Sequence, residues 1–346
     1  MSRFGTGSML LLWVLAGCGY TESIDSETGH VVVGQLDTLA TTDSGLIGHP
    51  TDIAVAPDGE VYVSDILSDR ILRFIRSQDL VDTIGKKGAG PGEFDGPTAI
   101  RAGSSMVWVV DRGNGRLQTL SRAGQYVSTV PLGPELRTDQ PSIGPNGSLL
   151  IGTMGSDSSL AIRLETGATE PLAFGLPVVE PVKFFDMVSI KDRIAHGQIP
   201  EEFRNGVLVA EGKSGEMWIA LQTEREIRRF APDGGLLWAL TVDSPELDGI
   251  VEDFFRRNEE VDSPNTVVPL RYFADLEIVG EELWVLLNTS TRRPATILRV
   301  SSDGRQPGSV IVLAASGARS LAVDETRSEL YLGTPGDAQV LVAIVP

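Results

Sequence analysis

Two segments of the chain align with each other at an almost constant spacing. One is HPTDIAVAPDGEVYVSDILSDRILRF, from His49 to Phe74, and the other is GPTAIRAGSSMVWVVDRGNGRLQTL, from Gly96 to Leu120. Four positions match, one at a spacing of 47 residues and three at 46: Pro50 with Pro97, Tyr62 with Trp108, Asp65 with Asp111 and Arg70 with Arg116. A repeat of this length indicates a fold built from several copies of one small unit.

Weaker copies of this unit continue to the end of the chain, each with a large apolar anchor residue. The anchors are Tyr62, Trp108, Leu150, Trp218, Trp284 and Tyr331. Periods in the forties are typical of β-propeller blades, which are four-stranded sheets packed face to face. We therefore predict an all-β fold, a six-bladed β-propeller that forms one domain over residues 30–346, with enlarged joins near 176–205 and 243–271.

The two ends of this region predict how the ring closes. Only one strand, QVLVAIV, follows the last anchor, so the sixth blade lacks its outermost strand. An unattached strand, HVVVGQLDTLA, begins at His30, ahead of blade 1. We expect this N-terminal strand to complete the last blade, because closure removes an open sheet edge.

The first two units resemble the NHL repeat of six-bladed propellers. The stretch DRGNGRL at residues 111–117 matches that repeat fully, and residues 65–71 match it with Ser68 in place of asparagine. The resemblance covers roughly residues 46–125, and the later blades keep only the strand pattern. It implies that the glycine-rich stretch 85–97 links two blades, with Phe94 between them. A phosphate-binding loop would need a helix behind it, whereas a strand follows here.

The sequence contains no catalytic motif with convincing spacing. NHL-like amidating lyases use a histidine-ligated zinc, but His30, His49 and His196 do not share a metal-ligand spacing. Metal-dependent lactonase propellers place carboxylates and asparagines around the central channel, and Asp65 and Asp111 are candidates for that position. We favour the alternative that each aspartate pairs with the arginine of its own blade, and we expect no metal and no cofactor.

Residues 1–18 precede the fold and have the features of a signal peptide. An apolar run too short to span a bilayer is followed by LAGC at residues 15–18, which resembles the bacterial lipobox. In that family the cysteine is lipidated and becomes the mature N-terminus. We therefore expect a lipid on Cys18 that anchors the protein to a membrane, and a polar tether over residues 19–29. The resemblance implies the bacterial cell envelope, at the outer membrane if the host has two membranes.

The second enlarged join predicts a helix between blades 4 and 5. In DSPELDGIVEDFFRRNEE, Asp243 or Ser244 is the expected N-cap, and Pro245 lies in the first turn. Apolar residues recur at helical spacing and are expected to pack onto the ring. They are Leu247, Ile250, Val251, Phe254 and Phe255.

The first enlarged join, VKFFDMVSIKDRIAHG, mixes aromatic and charged residues without a clean period. It supplies the candidate ligand contacts, with a solvated lid as the alternative. These candidates are Phe184, Phe185, Lys191, Arg193 and His196. Turns and crossings between blades meet on one face of a propeller, so both insertions are expected on the same rim.

The charge balance restricts the class of partner. Asp and Glu number 47 against 29 Lys and Arg, a net charge of −18, so the surface repels nucleic acids and we expect no nucleic-acid partner. We predict a monomeric, lipid-anchored propeller that binds a protein, peptide or glycan on the rim with the insertions, without catalysis. A metal-dependent hydrolase or lactonase with its site at the central channel is the alternative, and a structural scaffold is a third possibility.

Overall fold

The computed structural model shows six sheets that form the blades of a propeller, each with four consecutive antiparallel strands. The structure describes residues 22–24, 30–41, 45–75, 80–133, 140–155, 158–168, 170–182, 185–304 and 309–345. Residues 1–21 and 25–29 fall outside these ranges, so the predicted signal peptide, Cys18 and most of the predicted tether lie outside the described residues.

Fifteen strands make up the N-terminal segment and the first three blades, with each blade formed in chain order. Strands β1 (Glu22–Ile24), β2 (His30–Val33) and β3 (Asp37–Thr41) come first. The three blades consist of β4 (Pro50–Val55), β5 (Val61–Asp65), β6 (Arg70–Ile75) and β7 (Leu80–Ile84), then β8 (Pro97–Ala102), β9 (Met106–Asp111), β10 (Arg116–Ser121) and β11 (Tyr126–Pro131), then β12 (Ser142–Ile143), β13 (Leu149–Gly152), β14 (Ala161–Leu164) and β15 (Leu172–Phe174).

The second half of the ring contains both α-helices that the structure describes. Helix α1 (Met187–Ala195) and a 3₁₀ turn (Glu201–Phe203) precede blade 4, and α2 (Glu246–Glu260) separates blades 4 and 5. The strands of the last three blades are β16 (Val207–Glu211), β17 (Met217–Leu221), β18 (Glu226–Phe230) and β19 (Leu236–Thr241), then β20 (Phe273–Val279), β21 (Glu282–Leu287), β22 (Pro294–Val300) and β23 (Ser309–Ser316), then β24 (Ser320–Asp324), β25 (Glu329–Thr334) and β26 (Gln339–Ile344). Neither described helix is long and apolar enough to cross a membrane.

The predicted six-bladed architecture is confirmed. Every predicted anchor lies in the second strand of its blade, and all but Trp108 are buried. The innermost strands β4, β8, β12, β16, β20 and β24 contact one another in sequence, and β24 also contacts β4. The ring is therefore closed, with the hydrophobic core distributed between the facing sheets.

The N-terminal strand closes the last blade as predicted, but the segment divides between two blades. Strand β3 pairs antiparallel with β26 and completes blade 6, with Ala40 opposite Val340. Strand β2 instead pairs parallel with β23 at the outer edge of blade 5, and β1 pairs with β2. Both blades offered an open outer edge, so an alternating pattern alone did not distinguish them.

The predicted helix between blades 4 and 5 is α2, and its apolar stripe packs onto the ring. Leu247, Ile250 and Phe254 are buried in the cluster that joins blades 4 and 5. The helix begins one residue after Pro245, which makes no side-chain cap, while the Ser244 hydroxyl hydrogen-bonds to the Glu246 carboxylate. The N-cap residue is therefore Pro245 rather than Asp243 or Ser244.

The glycine-rich stretch between blades 1 and 2 is a structural linker. Phe94 is fully buried between the two blades. The Arg116 guanidinium donates to the carbonyl oxygens of Ala89, Gly90 and Glu93 at 2.7–2.9 Å. These contacts hold the loop against blade 2, as the repeat resemblance implied.

Candidate functional site

The innermost strands surround a channel along the axis of the ring, and a cavity of about 610 Å³ lies in it. Each innermost strand begins on the face where the chain crosses from one blade to the next. Residues just before these strands, such as His49, Arg271 and Arg319, therefore surround one mouth of the channel. Helix α2 belongs to one of the crossings, so this mouth opens on the face that carries the insertions.

Two aspartates on innermost strands connect neighbouring blades inside the channel. Asp52 accepts the N–H of Ile53 at 2.8 Å and that of Ile100, in blade 2, at 2.9 Å. Asp275 repeats this arrangement, accepting from Leu276 at 2.8 Å and from Leu321, in blade 6, at 2.7 Å. The channel edge of each innermost strand has no neighbouring strand, so these carboxyl groups satisfy backbone donors that a sheet would otherwise pair.

Burial in the channel raises the pKa of three carboxyl groups. The pKa of Asp52 rises from 3.8 to about 7, because removal from water outweighs its backbone hydrogen bonds. Burial also raises the pKa of Asp275, and the nearby charge of Asp52 adds to this effect. Burial raises the pKa of Glu277 as well, although Arg101 pairs with it at 3.3 Å.

The mouth of the channel has a different chemistry from the interior. Arg257 extends from the last turn of α2, Arg271 precedes β20, and Arg319 precedes β24. Asn288 and His49 also line the cavity. The mouth is therefore rich in hydrogen-bond donors, while the acidic side chains lie on the strands below it.

Four of the five predicted ligand-contact residues are described, and they lie on or beside α1, outside the channel cavity. Phe184 is outside the described residues, and Phe185 is exposed. Lys191 donates to the Ser263 carbonyl, and Arg193 pairs with Glu202. His196 lies 3.6 Å from Asp192 and is mostly exposed. Lys191, Arg193 and His196 thus contact separate partners, and none of the four described residues lines the channel cavity.

The repeat aspartates pair within their own blades, which was the favoured alternative. Asp65 accepts from the backbone of Gly48 and His49 and lies 3.4 Å from the Arg70 Nε. Asp111 accepts from Arg116 at 2.8 Å, from Asn114 at 2.9 Å and from the Asp95 N–H at 2.8 Å. Both aspartates are fully buried and hold turns on the insertion face.

The described residues contain no group of three or more His, Cys, Asp or Glu arranged to hold a metal ion. The histidines lie in different parts of the fold: His30 is 3.4 Å from Glu246, His49 lines the channel, and His196 ends α1. A zinc site built from these three side chains is therefore not formed in this part of the chain.

Sequence reasoning missed both the channel aspartates and helix α1, although each left a signal. Asp52 and Asp275 each lie two residues before the residue that pairs with the blade's anchor, in the matching stretches TDIAV and ADLEI. For α1, Asp186 is an N-cap that accepts from Val188 and Ser189, and Gly197 follows the helix with a positive φ of 74°.

The fold and the channel define the class of protein as a six-bladed β-propeller. No protein-family model matches the chain. A probable peptidyl-alpha-hydroxyglycine alpha-amidating lyase, pgal-1 of Caenorhabditis elegans, is similar to it, with 29% identity over 183 residues. That match covers 47% of this chain and 52% of the relative, so the chain spans about half the length of the curated relative it matches.

Two solved structures share the fold over nearly the whole chain. A gluconolactonase from Xanthomonas campestris, XC5397, superposes with a TM-score of 0.51 at 13% identity, covering 96% of each chain. A luciferin-regenerating enzyme superposes with a TM-score of 0.52 at 12% identity, covering 90% of this chain and 95% of that one. At such low identity these likenesses establish the propeller architecture alone.

The channel geometry predicts an aspartate that titrates near neutrality. Because Asp52 binds its proton more tightly in the folded protein, it contributes stability that is full below about pH 4 and is lost as the pH rises through about 7. NMR titration of ¹³C-labelled aspartate carboxyl groups should show a midpoint near 7 that disappears in Asp52→Asn. Carboxyl signals that all titrate below pH 5 would contradict the burial argument.

Proposed function

We propose that the protein is a lipid-anchored binding protein of the bacterial cell envelope whose ligand enters the channel mouth on the insertion face. The ligand is a protein, peptide or glycan that presents one end or branch to the channel. The observation that carries this proposal is the cavity of about 610 Å³, which is of the size that small-molecule sites have in proteins.

The walls of the mouth are fixed by packed secondary structure, which favours a preformed binding site over a gap between blades. Innermost strands form its sides, and α2 adds Arg257 above them. Leu247 and Ile250 fix α2 on the ring, so this wall is held by the core. A second cavity of about 340 Å³ adjoins the first and shares Gln140, Pro269 and Arg271 with it. The shared residues allow a ligand to extend from the axis toward blades 3 and 4.

A metal-dependent hydrolase is the alternative, because carboxyl groups and Asn288 line the channel. The channel aspartates do not fit a metal well. In Asp52 and Asp275, both oxygen atoms already accept backbone N–H groups, and burial favours their neutral form. Metal ligands must be deprotonated. These carboxyl groups connect neighbouring blades, which is a structural role that a binding protein needs no metal to explain.

Filling the mouth should abolish ligand binding without disturbing the ring. Pro335 lies in a turn of blade 6 and lines the cavity, so Pro335→Trp places an indole at the entrance. Pro57 lies in an exposed turn on the opposite face, which makes Pro57→Trp a matched control. A panel of short peptides, oligosaccharides, citrate and glucose 6-phosphate is screened by thermal shift with the full-length protein in detergent.

A ligand present at 100 times its Kd stabilises the wild type by about 2.7 kcal/mol. That stabilisation should persist in Pro57→Trp and disappear in Pro335→Trp. Ligands that stabilise all three proteins equally would show that binding occurs away from the channel mouth and would refute the proposal.

The lipid anchor is tested by changing Cys18, the one cysteine of the chain. Cells given an alkyne fatty acid should label the wild-type protein and leave Cys18→Ser unlabelled, with the wild type in the membrane fraction. Because Cys18 precedes every described strand, the melting temperature of the variant should stay within measurement error of the wild type. Labelling that persists in Cys18→Ser would place the lipid elsewhere or exclude it.

A further inference from the structure

The channel mouth contains arginines whose charge the protein does not neutralise. Most described arginines pair with a carboxylate, as Arg101 does with Glu277 and Arg116 with Asp111. Among the described residues, Arg257 and Arg271 make no side-chain hydrogen bond and no ion pair, and Arg319 donates only to the carbonyl oxygens of Thr289 and Ala318. These three side chains line the same cavity.

Arginines without an ion pair are a minority among the described residues. Acidic residues outnumber basic ones by 47 to 29, so carboxylates are available almost everywhere on the surface. Arg319 is half-buried, and both its burial and the charge of Arg257 lower its pKa. Two like charges therefore line the same cavity and lie close enough for Arg257 to disfavour the charged form of Arg319. An arrangement of like charges that lowers the stability of the protein without its ligand is typical of a binding site.

A buried, uncharged hydrogen-bond donor near Arg271 also lacks a partner among the described residues. Gln222 is buried and lines the adjoining cavity together with Arg271. Its Oε1 accepts the N–H of Phe273 at 3.1 Å, whereas its Nε2 has no partner among the described residues. A buried donor without a partner costs free energy that a ligand acceptor can recover.

From this geometry we infer that the ligand carries an oxyanion, a carboxylate or a phosphate, and that Arg257, Arg271 and Arg319 bind it at the channel mouth. This inference rests on the proposed function and names its ligand class. Guanidinium groups bind both oxyanions through paired N–H donors, so the two sources share one recognition chemistry. The low-dielectric channel wall strengthens the attraction between the arginines and an anion. The acidic outer surface repels anions, so an anion is attracted to the protein at the mouth.

Binding is measured by calorimetry and thermal shift on the full-length protein in detergent at constant ionic strength. Citrate represents the carboxylates, glucose 6-phosphate and inorganic phosphate represent the phosphates, and glucose is the neutral counterpart. The wild type should bind at least one of the anions and should not bind glucose. Arg271→Gln and Arg319→Gln should each weaken that binding at least tenfold. Arg292→Gln removes an exposed arginine outside the channel and should bind as the wild type does.

Stability without ligand distinguishes a binding arginine from a structural one. Arg257→Gln removes a positive charge that disfavours the charged form of Arg319, so its melting temperature should be equal to or higher than that of the wild type. A structural arginine would instead lower the melting temperature on substitution. A clear loss of stability in Arg257→Gln, or anion binding that is equal in the wild type and the arginine variants, would overturn the inference, as would a wild type that binds none of the three anions.

The outcomes also separate this inference from the proposed function. A neutral peptide or oligosaccharide that Pro335→Trp blocks, but that the arginine variants bind normally, would refute the oxyanion and leave the channel-mouth site intact. Ligands that Pro335→Trp binds as well as the wild type does would refute the site itself.

Discussion

The pairing of β3 with β26 is the interaction on which the rest of the structure depends. A blade cannot bury both faces alone, so the array is stable only when the last blade packs against the first. Residues Asp37–Thr41 join the sheet formed by the last three strands of the chain, which fixes blade 6 beside blade 1. Without that closure the innermost strands would not enclose a channel, and there would be no cavity for a ligand to enter.

Closure also creates the two chemistries of the channel. In the interior, Asp52 connects blades 1 and 2, and Asp275 connects blades 5 and 6, by accepting backbone N–H groups across the joins. At the mouth, Arg271 and Arg319 come from blades 5 and 6, and Arg257 comes from the inserted helix. The same ring geometry therefore holds the blades together with carboxyl groups below and presents guanidinium groups above.

The features that repeat along the chain could be predicted from the sequence, whereas the side chains from separate elements that meet in the channel could not. Tyr62 and Tyr331 share a local strand pattern, so the number of blades could be predicted without a structure. The apolar stripe of α2 could also be predicted, because its apolar residues recur at helical spacing. Helix α1 was missed because Lys191, Asp192 and Arg193 interrupt its apolar period, leaving only Ile190 and Ile194 buried. The mouth arginines come from α2 and from the starts of two neighbouring blades, and no local sequence pattern shows that their side chains line one cavity. The predicted contacts on α1 remain a prediction.

The ring closure is tested most directly by a disulfide across the seam. Ala40 and Val340 are directly opposite in the β3–β26 pair, and such partners lie within the distance that a disulfide spans. In a Cys18→Ser background, Ala40→Cys with Val340→Cys should form an intramolecular disulfide on oxidation and stabilise the protein by about 2–4 kcal/mol. Free thiols after oxidation, or links only between molecules, would contradict the closed ring described here.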